Sequence, residues 1–196
     1  ARLKQHEAEL AAGRGLDFAD VALMAIVPGH GLRLPALVAG VGAPRFVGYF
    51  RPLGMAADII EGEAGRAATH KLLRSVMMKG LAAVVIEALR GAEAAGCAPW
   101  LWSNLVDELV KADGPFLARL VRGTGQHADR RLHEMEASAA LLEELGIDPV
   151  MTSATVASLR RVVGGDGVPG VVGGDGVPGV VGGDGVPGVV GGDGVP

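Results

Sequence analysis

From Ala64 to Ala95 the chain reads as one long helix whose apolar residues take up most of its circumference: Leu72, Leu73, Val76, Met77, Val84, Val85, Ile86 and Leu89 share no single face. A helix that is apolar nearly all round must be buried. With the repetitive end of the chain set aside, about 160 residues remain, one domain's worth, and they supply few elements to cover it. The expectation is a second subunit, in a homodimer paired through residues 64–95.

The same helix carries Lys71, Ser75 and Lys79 at i, i+4 and i+8, a spacing that projects them to one side. Burial disfavours an ammonium group, so a buried lysine beside a hydroxyl is able to give and take protons near neutrality. The plainer alternative is the polar edge of an amphipathic helix.

Upstream, residues 2–12 read as a short helix closed by Gly13 and Gly15. Apolar, β-favouring runs at Phe18 to Ile26, Ala36 to Gly40 and Ala56 to Ile60 read as strands, the first bounded by Pro28-Gly29. A helix from Ala43 to Leu53 turns Phe46, Val47 and Phe50 inward. Three strands with short helices between them are half of an α/β sheet. Beyond Ala95 everything reads as helix, at about 99–111, 115–122, 127–145 and 149–161, with Gly91 and Gly96 weakening the end of the long helix and Pro99 starting the next.

Several residue types narrow the chemistry. The chain has 18 Lys and Arg against 22 Asp and Glu, and with the four aspartates of the repeats set aside the charges balance. A neutral body argues against a nucleic-acid partner, which calls for a basic face. No apolar run reaches membrane-span length, and no signal core follows Ala1-Arg2-Leu3-Lys4. Cys97 is the single cysteine, so a reducing, cytoplasmic setting is expected, with Cys97 as a small buried filler. Trp100 and Trp102 read as packing residues in preference to a substrate wall. His30 and His70 stand apart, without the spacing of a metal site. Arg130 and Arg131 follow His127 closely, and arginine reads carboxylate or phosphate through a bidentate fork. The other reading is a solvated helix start with Asp129 and Glu134 as compensating charges.

The run Gly62-Glu63-Ala64-Gly65-Arg66-Ala67-Ala68-Thr69-His70-Lys71-Leu72-Leu73-Arg74-Ser75, with Met78-Lys79-Gly80 behind it, resembles the interdomain hinge of the 6-phosphogluconate dehydrogenase and β-hydroxyacid dehydrogenase superfamily. It is most similar to the branch with a phosphogluconate-dehydrogenase-like helical C-terminal domain. The run Asp20 to His30 is similar to the superfamily's strand and substrate loop, commonly Val-Ser-Gly-Gly, with Pro28 in place of the serine and His30 in place of the second glycine. His127 to Glu136 and Gly146 to Thr152 resemble that branch's helical domain. The resemblance implies that Lys71 is the acid/base group of a hydride transfer and that Ser75, four residues on, contacts substrate. Pro28, Gly29 and His30 would form the facing loop, and Arg130 and Arg131 would meet a charged substrate group. It also implies NAD or NADP as cofactor and a small hydroxy acid as substrate.

A dinucleotide site requires a strand, Gly-x-Gly-x-x-Gly, and a helix whose N-terminus receives the pyrophosphate. Nothing before Gly62 spells it. Gly123-Thr124-Gly125-Gln126-His127-Ala128 fits by letter but follows a helical run, and is rejected. The expectation is that the nucleotide-binding half lies outside this chain, which leaves the cofactor-binding residues unassigned and NAD undistinguished from NADP. Residues 162–196 repeat Val-Val-Gly-Gly-Asp-Gly-Val-Pro-Gly with a period of nine. Glycine at every third position suits a collagen axis, but the proline content falls below the roughly 15–20% of collagen-like segments, so a disordered appendage is expected.

The reading that emerges is an α/β remnant at 1–62, the last strands of a Rossmann-like NAD(P)-binding domain, then an all-α dehydrogenase domain at 63–161 and a low-complexity tail at 162–196. Its function would be that of a truncated NAD(P)-dependent oxidoreductase. The alternatives are a non-catalytic helical dimerisation module with a collagen- or elastin-like assembly tail, and a dead homologue that keeps the helical domain for pairing alone.

Overall fold

The computed structural model describes residues 1–170 of the 196-residue chain, and the repeats beyond Gly170, read above as an appendage, lie outside the described residues. The chain divides into two compact units, Ala1–Ile86 and the residues from Glu87 onward.

The first unit holds helix α1 (Arg2–Ala12), strands β1 (Asp20–Leu23), β2 (Ala36–Ala39) and β3 (Ala57–Ile59), helix α2 (Ala43–Phe50) and the first part of the long helix α3 (Arg66–Ala94). The sheet order is β1-β2-β3. β1 runs antiparallel to β2, with Asp20 opposite Ala39 and Leu23 opposite Ala36, whereas β2 and β3 are parallel, with Ala36 opposite Ala57. The sheet is therefore mixed, because residues 24–35 return as a hairpin loop while α2 makes a crossover between β2 and β3.

One face of the sheet packs on α2 through Ala36, Val38, Ala57, Ala43, Val47 and Met55, with the Phe46 and Phe50 rings stacked at 4.4 Å against this core. The other face, Ala22 and Ala39, receives Ala67 from the first turn of α3. Alanine on both sides permits close approach of helix to sheet. At Gly42 an added Cβ would stand 2.7 Å from the Phe18 carbonyl carbon, so the start of α2 also depends on a missing side chain.

The expected strand from Phe18 to Ile26 is shorter than read. Its ladder ends at Leu23, one further bond runs from the Met24 amide to the Pro35 carbonyl at 2.8 Å, and the chain then leaves the sheet.

The second unit is helical: the end of α3, then α4 (Ala98–Val110), α5 (Gly114–Gln126), α6 (Ala128–Glu144) and α7 (Val150–Val163). Prolines sit in the first turns of α4 and α5, and the Asp113 carboxylate accepts from the Phe116 amide at 2.7 Å. Gly146, at φ +76°, closes α6, where the Ile147 amide donates to the Leu142 carbonyl at 2.8 Å. α6 and α7 form the most extensive helix pair. Leu142, Val156 and Leu159 are buried in this unit.

Gly91, read as a weak point of the long helix, is a contact point instead, and so are Gly123 and Gly125. Gly91 lies within α3, where an added Cβ would stand 2.6 Å from Leu142 Cδ2. Gly123 and Gly125 lie within α5, beneath the Arg131 guanidinium and the Val168 side chain, so α5 runs four residues past its expected end.

Other expectations are corrected. Cys97 is exposed, not a buried filler. Trp100 and Trp102 are 66% and 57% exposed, and no residue of α4 is buried among the described residues.

Leu73 and Val76 of α3 are 66% and 72% exposed, so this stretch of the long helix is not covered by other elements of this chain, although Ala67, Glu87 and Ala92 of the same helix are buried. Among the described residues no helix is long and apolar enough to cross a membrane.

Candidate active site at the head of the long helix

α3 begins from a loop that only glycine can make. Gly62 and Gly65 adopt φ of +123° and +100°, values that carry a steric cost for residues with a Cβ. Gly65 is also pressed against the Ala1 carbonyl, 3.0 Å from where a Cβ would stand. The loop is pinned from the sheet by Asp20, whose side chain is fully buried. Its Oδ2 accepts from the Gly65 amide at 2.8 Å and from the Ala68 amide at 3.1 Å, so a strand residue caps a helix 45 positions on. Among the described residues Asp20 Oδ1 is buried without a partner. The Thr69 hydroxyl donates to the Gly65 carbonyl, which completes the first turn.

One turn further along stand the residues expected to carry chemistry. Lys71 is exposed, Ser75 is half-buried, and the serine Oγ lies 3.5 Å from Lys79 Nζ, so its ammonium neighbour is Lys79 instead of Lys71. The water-poor setting expected for Lys71 is therefore not supplied by this chain. Arg74, on the intervening turn, donates to the Met24 carbonyl at 3.2 Å and ties α3 to the end of β1. From there the chain enters the loop of Pro28, Gly29 and His30, all exposed, with Gly29 at φ +85°. Among the described residues no hydrogen bond joins that loop to Lys71 or Ser75.

A cavity of about 530 Å³ opens at the helix head beside Gly62, Glu63, Arg66 and Thr69, and neither Lys71 nor Ser75 borders it. Among the described residues no group of three or more His, Cys, Asp or Glu is arranged to hold a metal ion.

In the second unit Arg130 and Arg131 have unlike surroundings. Arg130 pairs with Glu134 at 3.2 Å, as the solvated-helix reading has it, whereas Arg131 donates to the Thr124 hydroxyl at 2.7 Å.

Sequence reasoning missed two carboxylates, Asp20 and Glu87. Glu87, on α3, is only 7% exposed and caps α7. Its Oε2 accepts from the Met151 amide at 2.7 Å, and its Oε1 from the Thr152 amide at 2.8 Å and the Thr152 hydroxyl at 2.7 Å. Removal from water pushes the Glu87 carboxyl up, but the Thr152 hydroxyl and the two amides outweigh this and hold it below the ordinary glutamate value. The available signal was a lone acid inside Val84-Val85-Ile86-Glu87-Ala88-Leu89, since a charge on a buried stretch has to be hydrogen-bonded.

Residues 92–162 match a family model described as a domain of unknown function, DUF1932. No curated protein matches the chain. Among solved structures, a conserved protein of unknown function, described as structurally similar to 3-hydroxyacid dehydrogenases, is 24% identical, with 82% of this chain and 61% of that one covered and a TM-score of 0.50. A reductive aminase from Aspergillus terreus, in complex with NADPH and ethyl-5-oxohexanoate, is 19% identical over 86% of this chain and 63% of that one, with a TM-score of 0.67. An imine reductase from Myxococcus stipitatus, in complex with NADP+, is 18% identical over 84% and 64%, again with a TM-score of 0.67. At these identities the likeness is one of fold. The chain spans less than two thirds of the length of each of these proteins.

Proposed function

We propose that residues 92–162 are the helical C-terminal domain of an NAD(P)-dependent 3-hydroxyacid dehydrogenase-like protein, and that this chain is part of an oxidoreductase acting on a small hydroxy acid. The observation that carries the reading is the order of parts. A sheet, a two-glycine hinge and a helix bearing Lys71 and Ser75 lead without a break into the matched domain.

Gly123 and Gly125, which spell part of a dinucleotide fingerprint, are inside α5 and not in a turn between strand and helix. NAD or NADP, when bound, would supply the acceptor for the substrate's hydride. What this chain contributes is a proton and a grip. Lys71 takes the proton from the substrate hydroxyl as it is oxidised and returns it in the reverse direction. Ser75 holds the hydroxyl or carboxylate, and Pro28, Gly29 and His30 wall the opposite side.

The exposed apolar run Leu72, Leu73, Val76 and Met77 supports a homodimer paired through α3. A second subunit covering that run would remove water from around Lys71 and so strengthen its acid/base role. The same run also favours the second reading, an assembly module without chemistry.

Two assays separate the readings. In the full-length protein, turnover of hydroxy acids and of cyclic imines is followed with NADPH or NADP+ and with NADH or NAD+. Hydroxy-acid oxidation with either dinucleotide is the expected result, imine reduction alone would replace the substrate class, and no turnover of either would overturn the enzyme reading. Sedimentation after deletion of residues 162–196 should leave a dimer unchanged. Dissociation on that deletion would favour the assembly module.

A further inference from the structure

The helical unit holds a pocket of about 460 Å³ bordered by Arg131, Ser158, Glu134, Met135 and Leu159, a size suited to a small ligand. Arg131 is set into it by design of its neighbours. The Thr124 hydroxyl donates to the Leu120 carbonyl at 2.8 Å, so the same oxygen is left to accept from Arg131 at 2.7 Å. Gly123 makes room for the other side of the fork, since a Cβ there would stand 3.1 Å from Arg131 Nη2.

That arrangement occupies one of the guanidinium's five N–H groups. Among the described residues no carboxylate pairs with Arg131, and the half-buried charge has no counter-ion. Nearby, the Thr155 hydroxyl donates to the Met151 carbonyl, while the Ser158 hydroxyl has no partner among the described residues. Free donors at the pocket thus include the remaining Arg131 N–H groups and the Ser158 O–H, beside the apolar side chains of Met135 and Leu159, while Arg130, also in the lining, pairs with Glu134.

We propose that this pocket binds a carboxylate, held bidentately by Arg131 and by the Ser158 hydroxyl. Arg130 is already neutralised by Glu134, so the lining carries one net positive charge. That balance suits a monoanion and works against a phosphate dianion, which would also meet the Glu134 carboxylate. The inference rests on the oxidoreductase reading only for its biological sense, naming the acid group of the hydroxy acid.

The test is binding by the full chain without dinucleotide, with 3-hydroxybutyrate and inorganic phosphate as separate probes followed by NMR at Arg131 and Ser158. The expected result is saturable 3-hydroxybutyrate binding that weakens about tenfold or more in Arg131→Met, the worth of a charge-assisted fork. Arg131→Lys should fall between, since lysine keeps the charge and loses the fork. Arg160→Met, on α7 and paired with Glu136, should bind as wild type. Helical content by circular dichroism confirms that each variant is folded, and if Arg131→Met is not, Arg131→Lys carries the test.

Absence of saturable binding, or wild-type affinity in the folded Arg131 variant, would overturn the proposal, and tighter binding of phosphate than of 3-hydroxybutyrate would overturn the carboxylate assignment. In the wild type, 3-hydroxybutyrate binding without turnover counts against the oxidoreductase reading and leaves the pocket standing, whereas turnover without saturable binding at Arg131 and Ser158 counts against the pocket.

Discussion

Asp20 and Glu87 solve the same problem in the two units and leave different remainders. Each is a buried carboxylate that reaches across the fold to satisfy the first amides of a helix lacking a side-chain cap of its own: Asp20 for α3, Glu87 for α7. Glu87 has both oxygens engaged, through three hydrogen bonds. Asp20 has one engaged and one buried without a partner among the described residues. A saturated cap is structural and finished. A half-saturated one, at the hinge that leads to Lys71, holds the helix in place with one acceptor to spare.

The sharpest break of this comparison is Glu87→Ala. It strips the amides of Met151 and Thr152 and the Thr152 hydroxyl together, and should cost about 3 kcal/mol in chemical denaturation, from the lost cap and the buried donors left unpaired. Amide exchange at Met151 and Thr152 should rise while that at Gly65 and Ala68 stays unchanged. Glu87→Gln should cost about 2 kcal/mol, because with both oxygens accepting, one amide NH₂ must face a donor. Asp20→Asn should cost less, about 1 kcal/mol: the amide oxygen takes over from Oδ2 and the NH₂ falls where nothing donates. Equal losses in the two amide variants would erase the distinction between the caps.

Acidification gives a smaller effect with a defined sign. The Glu87 carboxyl titrates lower in the folded protein than in the unfolded chain. Its contribution is therefore complete above the ordinary glutamate range, shrinks as the pH falls through that range, and is gone below the folded-state value. Glu87→Gln should flatten that part of the stability–pH curve, and an unchanged slope would show that Glu87 is not its source. The smallest effect is expected for Gly91→Ala. The helix gains about 1 kcal/mol of propensity, set against displacement of the flexible Leu142 tip, so the net change should be within about 1 kcal/mol. In Gly42→Ala the obstruction is the Phe18 and Ala19 backbone, which cannot move aside, and a loss of about 2 kcal/mol or more is expected.

The helices and strands were legible because their periods are local. Apolar spacing and Pro99 mark where α4 begins, and the run before Gly62 places β3 within a residue at each end. The glycines inside helices misled, because a glycine required by a neighbouring side chain spells the same as one that ends a helix; Gly91 and Gly123 differ from a stop only through Leu142 and Arg131. The caps were invisible for a related reason: Asp20 and Glu87 act across 45 and 64 or more positions, a separation no window spans. At the candidate site the order Lys71, Ser75 was readable. The burial expected around it was not, since that depends on what covers an exposed helix.

The central claim is that Lys71 moves a proton in the oxidation of a hydroxy acid, and it is tested most directly by the turnover number of Lys71→Ala in the full-length protein beside the wild type. The account predicts a fall of about 10²–10⁴-fold, the usual worth of an acid/base group, with an unchanged melting temperature because the side chain is exposed. Wild-type turnover in the folded variant would contradict it.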